Sequence, residues 1–438
     1  MTVAVMMTKA EKALIEGFAS VQGQLPRDKA MRARAMADFQ EVGLPHRRVE
    51  AWKYTDLKAL LKDIAPPAAG QTDVVVDIKA LEATLEPWSA LNPVRLVFVD
   101  GQFAAALSSD AAGVSFSSLA TAVEQAETQV HHGDIASEAV VALNRALASD
   151  GAVIDVPAGA RIERPLLIVH AASGENPLLV SLRHRIKVGE GAAVTIIETD
   201  ASPNGARGQA NTLISLEVGP RAQVQHVQVN ATHADRAGIL TNAVTLDAEC
   251  GYRLFQVTAH APLVRNQSFI TFAGENSAID VSGLMIGEGK EHCDTTLVID
   301  HAVPNCESRE LFKAVLDDQA RAVFQGKVIV RPDAQKTDGK QMANALMLSP
   351  DTEFNAKPEL EIYADDVVCG HGATIAELDP HMMFYLRSRG IPVPEARALL
   401  IESFVGETFE KIEHEGLREA ISEVALAALA KVARKERV

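Results

Sequence analysis

Residues 278–330 read AIDVSGLMIGEGKEHCDTTLVIDHAVPNCESRELFKAVLDDQARAVFQGKVIV, and this stretch decides the fold. AIDVSGLMI, TTLVID and AVFQGKVIV are short β-rich runs separated by turn residues, with no helical pattern between them. The same texture spreads outward from Gly151 to about Asp366, through AVIDV, PLLIVH, LLVSLRHRIKV, AVTIIET, TLISLEV, AQVQHVQV and YRLFQVTA. Strands without alternating helices exclude a doubly wound sheet and leave a sandwich, a barrel or a β-solenoid. Small-residue pairs precede many of the runs: Gly151-Ala152, Gly159-Ala160, Gly191-Ala192 and Arg221-Ala222. The recurring unit of turn, small residue and spaced β-branched residues favours the solenoid, in which each coil stacks on the last.

Both ends of the chain change texture. AEKALIEGFASVQ and DKAMRARAMADFQEVGL carry apolar residues at helical spacing, and Trp52 and Tyr54 in VEAWKYTDLKALL read as anchors for a helical arm. Pro66 to Gly70 reads as a linker, Val94 to Val99 as a strand, and Glu138 to Ala148 as an amphipathic helix. After Asp379-Pro380, a cap followed by a first-turn proline, helical texture returns. The expected division is a mostly helical or mixed region at 1–150, a β-helix core at 151–376 and a helical region at 377–438. The apolar stripe of the last helix (Leu417, Ile421, Val424, Leu426, Leu429, Val432) must cover something: the body by default, a partner otherwise.

With 438 residues the chain can bury a large core, and a net charge of -16 argues against nucleic-acid binding. The four cysteines are scattered, which fits reduced thiols in a cytoplasm better than a disulfide framework. No secretory leader and no apolar span suited to a membrane helix is evident. Neither Gly289-Lys290 nor Gly339-Lys340 completes a phosphate-binding loop, and there is no GxGxxG, HExxH or GxSxG motif, so nucleotide hydrolysis by this chain is not expected.

The chemistry concentrates at Cys369-Gly370-His371-Gly372. On a strand, Cys369 and His371 project to one side, a thiol and an imidazole suited to iron, zinc or copper. Two ligands fall short of the usual four, so a metal site here needs donors from elsewhere, such as another subunit. A buried cysteine and a hydrogen-bonded histidine is the plainer reading. His292-Cys293-Asp294, His301 and Cys306 form a second concentration, readable as converging ligands or as turn and core groups. Glu359, Glu361, Asp365 and Asp366 offer carboxylates for a β-helical carbohydrate-active enzyme, yet aromatic residues are only 5%, poor provision for stacking sugars.

The series DHAVPNCESRELFKAVL, AVFQGKVIV, DAQKTDGKQMANALMLS, KPELEIYADDVVCGHGATIAELD, FYLRSRGI and EARALLIESFV resembles the core of the SufB/SufD family of iron–sulfur cluster assembly proteins. WKYTDL near the N-terminus and Cys369-Gly-His371-Gly372-Ala373-Thr374 look like the SufD branch; SufB-type chains carry Cys-x-His-Glu-Ala. SufD chains usually have serine where Gly370 stands. The resemblance implies a right-handed parallel β-helix between helical ends and a non-catalytic scaffold role. It also implies a complex with a SufB-type sister subunit and the ATPase SufC, which would dock on the C-terminal helices and supply ATP hydrolysis. A transient iron–sulfur cluster would form where the two β-helices meet. There His371 would be an iron ligand facing a SufB-type cysteine, with Cys369 a further ligand or a structural residue. The isolated chain is expected to be able to self-pair through the same surface. A self-sufficient cluster carrier using Cys369, Cys293 or Cys306 is a third reading.

Overall fold

A computed structural model describes residues 7–26, 28–69, 76–111, 113–122, 138–174, 176–231 and 235–433. Gly70, at the end of the expected linker, and the last five residues of the expected C-terminal region lie outside these. Among the described residues the first strands are β1 (Val94–Val99), β2 (Gln102–Phe103), β3 (Ser115–Ser118), β4 (Ala152–Val156), β5 (Leu166–Ala171) and β6 (Leu178–Val188). The middle ones are β7 (Ala193–Asp200), β8 (Arg207–Val218), β9 (Gln223–Asn230), β10 (Asp235–Leu246), β11 (Gly251–Ala259), β12 (Leu263–Phe272) and β13 (Ala278–Gly287). The last are β14 (His292–His301), β15 (Glu307–Leu316), β16 (Arg321–Val330), β17 (Asp338–Met347), β18 (Glu353–Ile362) and β19 (Val368–Ala376).

From β4 onward each strand pairs in parallel with the strand two further along, so odd and even strands build separate sheets. The result is a parallel β-solenoid of about eight coils, the architecture that the sequence pattern favours. The sheets also reach back before residue 151: β1 pairs in parallel with β5, while β2 and β3 add antiparallel edges on β1 and β4.

Three of the four small-residue pairs share a geometric cause, whereas Gly151 is at no such corner and is needed because a Cβ there would lie 1.9 Å from the Arg183 carbonyl oxygen. Gly159, Gly191, Arg221, Glu249, Asn276, Asn305 and Lys336 all turn a corner at positive φ, 27 to 32 residues apart. The residue after each corner points inward. Ala192, Ala222, Cys250, Ser277, Cys306 and Thr337 are all buried there. These residues stack on one another, and only a small side chain fits between coils separated by about 4.8 Å. Cys250 and Cys306 thus occupy a small-residue column.

The space between the sheets is the main core, filled from alternate positions such as Ile279, Val281 and Met285 of β13. Both outer faces are covered as well. The helices α1 (Lys9–Val21), α2 (Lys29–Val42) and α5 (Ala139–Leu147) pack with Leu213, Ile239 and Phe269 of the even sheet. Two short helices, α3 (Leu57–Leu60) and α4 (Ile78–Leu85), fall between α2 and β1. On the odd sheet, α7 (Val393–Phe409) and α8 (Glu415–Ala433) pack with Val227, Phe255, Leu284 and Val315; α6 (Pro380–Ser388) precedes them. Strands buried on both faces read as near-continuous apolar runs, which is why simple alternation is muted here.

The WKYTDL arm is pinned to the even sheet. Arg265 of β12 sits over the Trp52 ring at 3.8 Å and donates to the Ala51 carbonyl at 2.9 Å. The Trp52 indole donates to Glu138 at 3.0 Å, and Thr55 binds His292 at 2.9 Å and Asp294. The anchoring role expected of Trp52 holds.

Candidate functional site at the open end of the solenoid

The coils stop at β18 and β19. Each bonds to a strand on one side only, leaving a row of unpaired backbone groups on the other. In register, Cys369 stands on Gly339, His371 on Gln341, Ala373 on Ala343 and Ile375 on Ala345. Ala343 and Ala345 belong to the interior core, so Cys369 and His371 face the lumen, as the two-residue period requires. His371 is exposed although it points inward, because no further coil closes the end. Its imidazole has no hydrogen-bond partner among the described residues. Cys369 is half-buried against the core; burial pushes its thiol up, and Asp338 and Glu310 add to that effect.

Around this mouth lie exposed apolar side chains: Val368 and Ile375, each 62% exposed, with Met342, Ile362 and Tyr363. A Cβ on Gly370 would meet nothing, so the local packing accommodates the usual serine as well as glycine. Gly372 is different, since a Cβ there would come 2.9 Å from the Met342 methyl.

The second concentration of ligand types does not converge. Cys293 points into the core, where burial pushes its thiol far up, while His292 and Asp294 point outward to Thr55. His301 stacks on Phe272 at 4.4 Å and shares a hydrogen bond with Ser308 at 3.1 Å. Cys306, in its corner column, faces the Gly274 carbonyl at 3.6 Å. These are turn and core groups. All four cysteines are free, and burial raises every thiol.

Three of the four acidic candidates, Glu359, Glu361 and Asp366, are taken up by separate lysines. Glu361 pairs with Lys327 at 2.7 Å, Glu359 with Lys357 at 3.0 Å, and Asp366 with Lys336. Glu359 and Glu361 lie on the solvent side of β18, out of phase with the lumen-facing Phe354 and Ala356. Among the described residues one group of three donors lies within 4.8 Å: His260, Glu288 and Glu291, at turns. There Glu291 accepts the Glu288 N–H at 2.9 Å, which accounts for its carboxylate as a turn cap.

The helical end also separates into two parts. In α8, Leu417, Ile421, Leu429 and Val432 are buried on the body. By contrast α6 buries nothing: Met382, Phe384 and Tyr385 are exposed, Phe384 by 74%. The unpartnered apolar face therefore lies on α6, next to the open end in sequence.

Two lumen residues behind the site went unnoticed in the sequence, Glu310 and Gln341. Glu310 stands in register with Gln341, as Gln341 does with His371. Burial pushes the Glu310 carboxyl up to about 8. The signal was present in ESRELFKAVL, where Glu310 is in phase with the core residues Phe312 and Ala314.

Comparison with known proteins agrees with this architecture. Residues 170–404 match the SUF system FeS cluster assembly SufBD core domain, and residues 21–168 match the SufBD protein N-terminal region. The iron–sulfur cluster assembly protein SufD of Escherichia coli is 33% identical over 382 residues, 86% of this chain and 88% of that protein. A SufBD family protein of Synechocystis is 34% identical over 387 residues, 84% of each chain. With both regions matched across most of its length, the chain belongs, as a SufD-type member, to the SufB/SufD family of iron–sulfur cluster assembly proteins.

Proposed function

We propose that this chain is a scaffold subunit that pairs with a SufB-type sister through its open end and docks a SufC-type ATPase through α6. The observation that carries the reading is the unpaired terminal rung, which presents His371 and Cys369 amid exposed apolar side chains. An unprotected edge of this kind is a template for strand pairing with another chain. His371 would give one nitrogen ligand to a nascent cluster across the boundary, and the partner would give thiolate. Cys369 is the lesser ligand, since burial favours its protonated form. When isolated, the chain would pair with itself through the same rung.

ATP hydrolysis would belong to the partner. A physical link from docking helices to site supports a coupling role. Lys313 of β15 donates to the Phe404 carbonyl at 2.6 Å and pairs with Glu407 at 2.7 Å, fixing α7 to the sheet. Lys313 stands in register with Asn344, and Asn344 with Thr374 of the edge strand, whose hydroxyl donates to Asn344 at 2.8 Å. Among the described residues no helix is long and apolar enough to cross a membrane. The buried free thiols fit a reducing compartment such as the cytoplasm.

The test is an anaerobic pull-down of tagged chain from its own cells, wild type against His371→Ala. Both forms should retain a sister β-helix subunit and an ATPase, and wild type alone should carry iron and sulfide absorbance. Absence of both partners from the wild-type material would overturn the proposal.

A further inference from the structure

Behind the open end the lumen is polar where it should be apolar. Glu310, two coils below His371, is only 3% exposed, yet neither of its carboxylate oxygens has a hydrogen-bond partner. Ser308 steadies it from beside without closing a hydrogen bond of normal geometry, its hydroxyl being shared with His301. One coil up, Gln341 is also 3% exposed. Its amide nitrogen donates to the Glu359 carbonyl at 3.2 Å, while its oxygen has no partner. That oxygen lies over Gly326, where a Cβ would stand 2.2 Å away. Gly339 opens the neighbouring column: a Cβ there would lie 3.3 Å from the Ser308 hydroxyl and 3.6 Å from the Cys369 sulfur. Gly339 thus lets the Ser308 hydroxyl and the Cys369 sulfur approach each other across the coil between them.

Three buried oxygens without a hydrogen-bond partner among the described residues stand here on adjacent coils, which calls for a positive or proton-donating occupant. Carboxylate and amide oxygens are hard ligands, matched to divalent cations that keep some of their water. We propose that Glu310 and Gln341, stacked in register on adjacent coils, form an inner divalent-cation site in the lumen behind Cys369 and His371. Its occupant is a hard, oxygen-ligated divalent ion such as Mn2+ or Mg2+, held one coil or more behind the exposed rung. The site goes beyond the scaffold reading and does not require Cys369 or His371 to be ligands.

The experiment is anaerobic titration of the full chain with Mn2+ alone, free ion being followed by its paramagnetic resonance signal. Wild type should bind one ion that Glu310→Gln binds at least about tenfold more weakly. Glutamine has the shape of the protonated acid, so this variant should fold, and Gln341→Met gives a second, independent loss. Glu288→Gln, which breaks the surface group at His260, and His371→Ala should both retain the ion. If Glu310→Gln and wild type bind equal numbers of ions with equal affinity, the lumen holds only water and the inference falls. Loss of the ion in His371→Ala would also overturn it, by placing the ion at the mouth.

Discussion

Arg265 sits 3.8 Å over the ring of Trp52 while its guanidinium bonds Asp294 at 2.6 Å, joining the N-terminal arm to the even sheet through one side chain. Arg265 and Asp294 are both fully buried, so removing the cation strands a carboxylate. Arg265→Met should destabilise the chain by about 3–5 kcal/mol in urea unfolding. A double-mutant cycle with Trp52→Leu should show coupling of about 0.5–2 kcal/mol. Additive effects would mean that the arm is held by its other contacts.

Stability should pass through a maximum in mildly acid solution. Burial holds His301 down to about 4 and His184 to about 3, both below their usual 6.5. These histidines stabilise the fold fully above 6.5 and lose that contribution as pH falls through 4 and 3. Glu310 has the opposite sign: raised to about 8, it stabilises below 4.5 and loses its contribution as pH rises to 8. Each such group contributes a slope of about 1.4 kcal/mol per pH unit within its window. Glu310→Gln should flatten the falling limb between pH 6.5 and 8, steepen the rise between 4.5 and 6.5, and leave the profile below 4.5 alone. An unchanged profile would show that Glu310 is hydrated in the folded state.

His371→Ala should leave thermal unfolding within about 0.5 kcal/mol of wild type, because the imidazole is exposed and holds nothing in place. Iron and sulfide recovered with the complex should fall sharply in the same variant. A large drop in melting temperature would make His371 a structural residue and remove the basis for its role as a ligand.

Two surface variants separate the two proposed contacts. Ile375→Lys puts a charge on the open rung and should abolish pairing with a sister subunit, or self-pairing of the isolated chain, as read by sedimentation. Phe384→Ala removes the most exposed aromatic of α6 and should weaken ATPase capture while sparing subunit pairing. If either variant loses both partners, the two surfaces are one.

The solenoid was legible because turn and small residues recur before its β-runs, as at Gly159-Ala160, Gly191-Ala192 and Arg221-Ala222; the left-handed corners, and their continuation to Lys336-Thr337, emerged in the structure. The arm at WKYTDL, the helical ends and the pair Cys369 and His371 could likewise be read from local pattern and family likeness. Cys306 misled as a candidate ligand, since composition alone does not distinguish a thiol from any other small corner residue. Which rung is last, and therefore why an inward-facing His371 meets solvent, depends on where stacking stops. That was decided in three dimensions. So was the column of Glu310, Gln341 and His371, whose members are about thirty residues apart and meet only because parallel strands pair in register. Local sequence determines which way a side chain points from its own strand; the stacking of coils decides what stands above and below it.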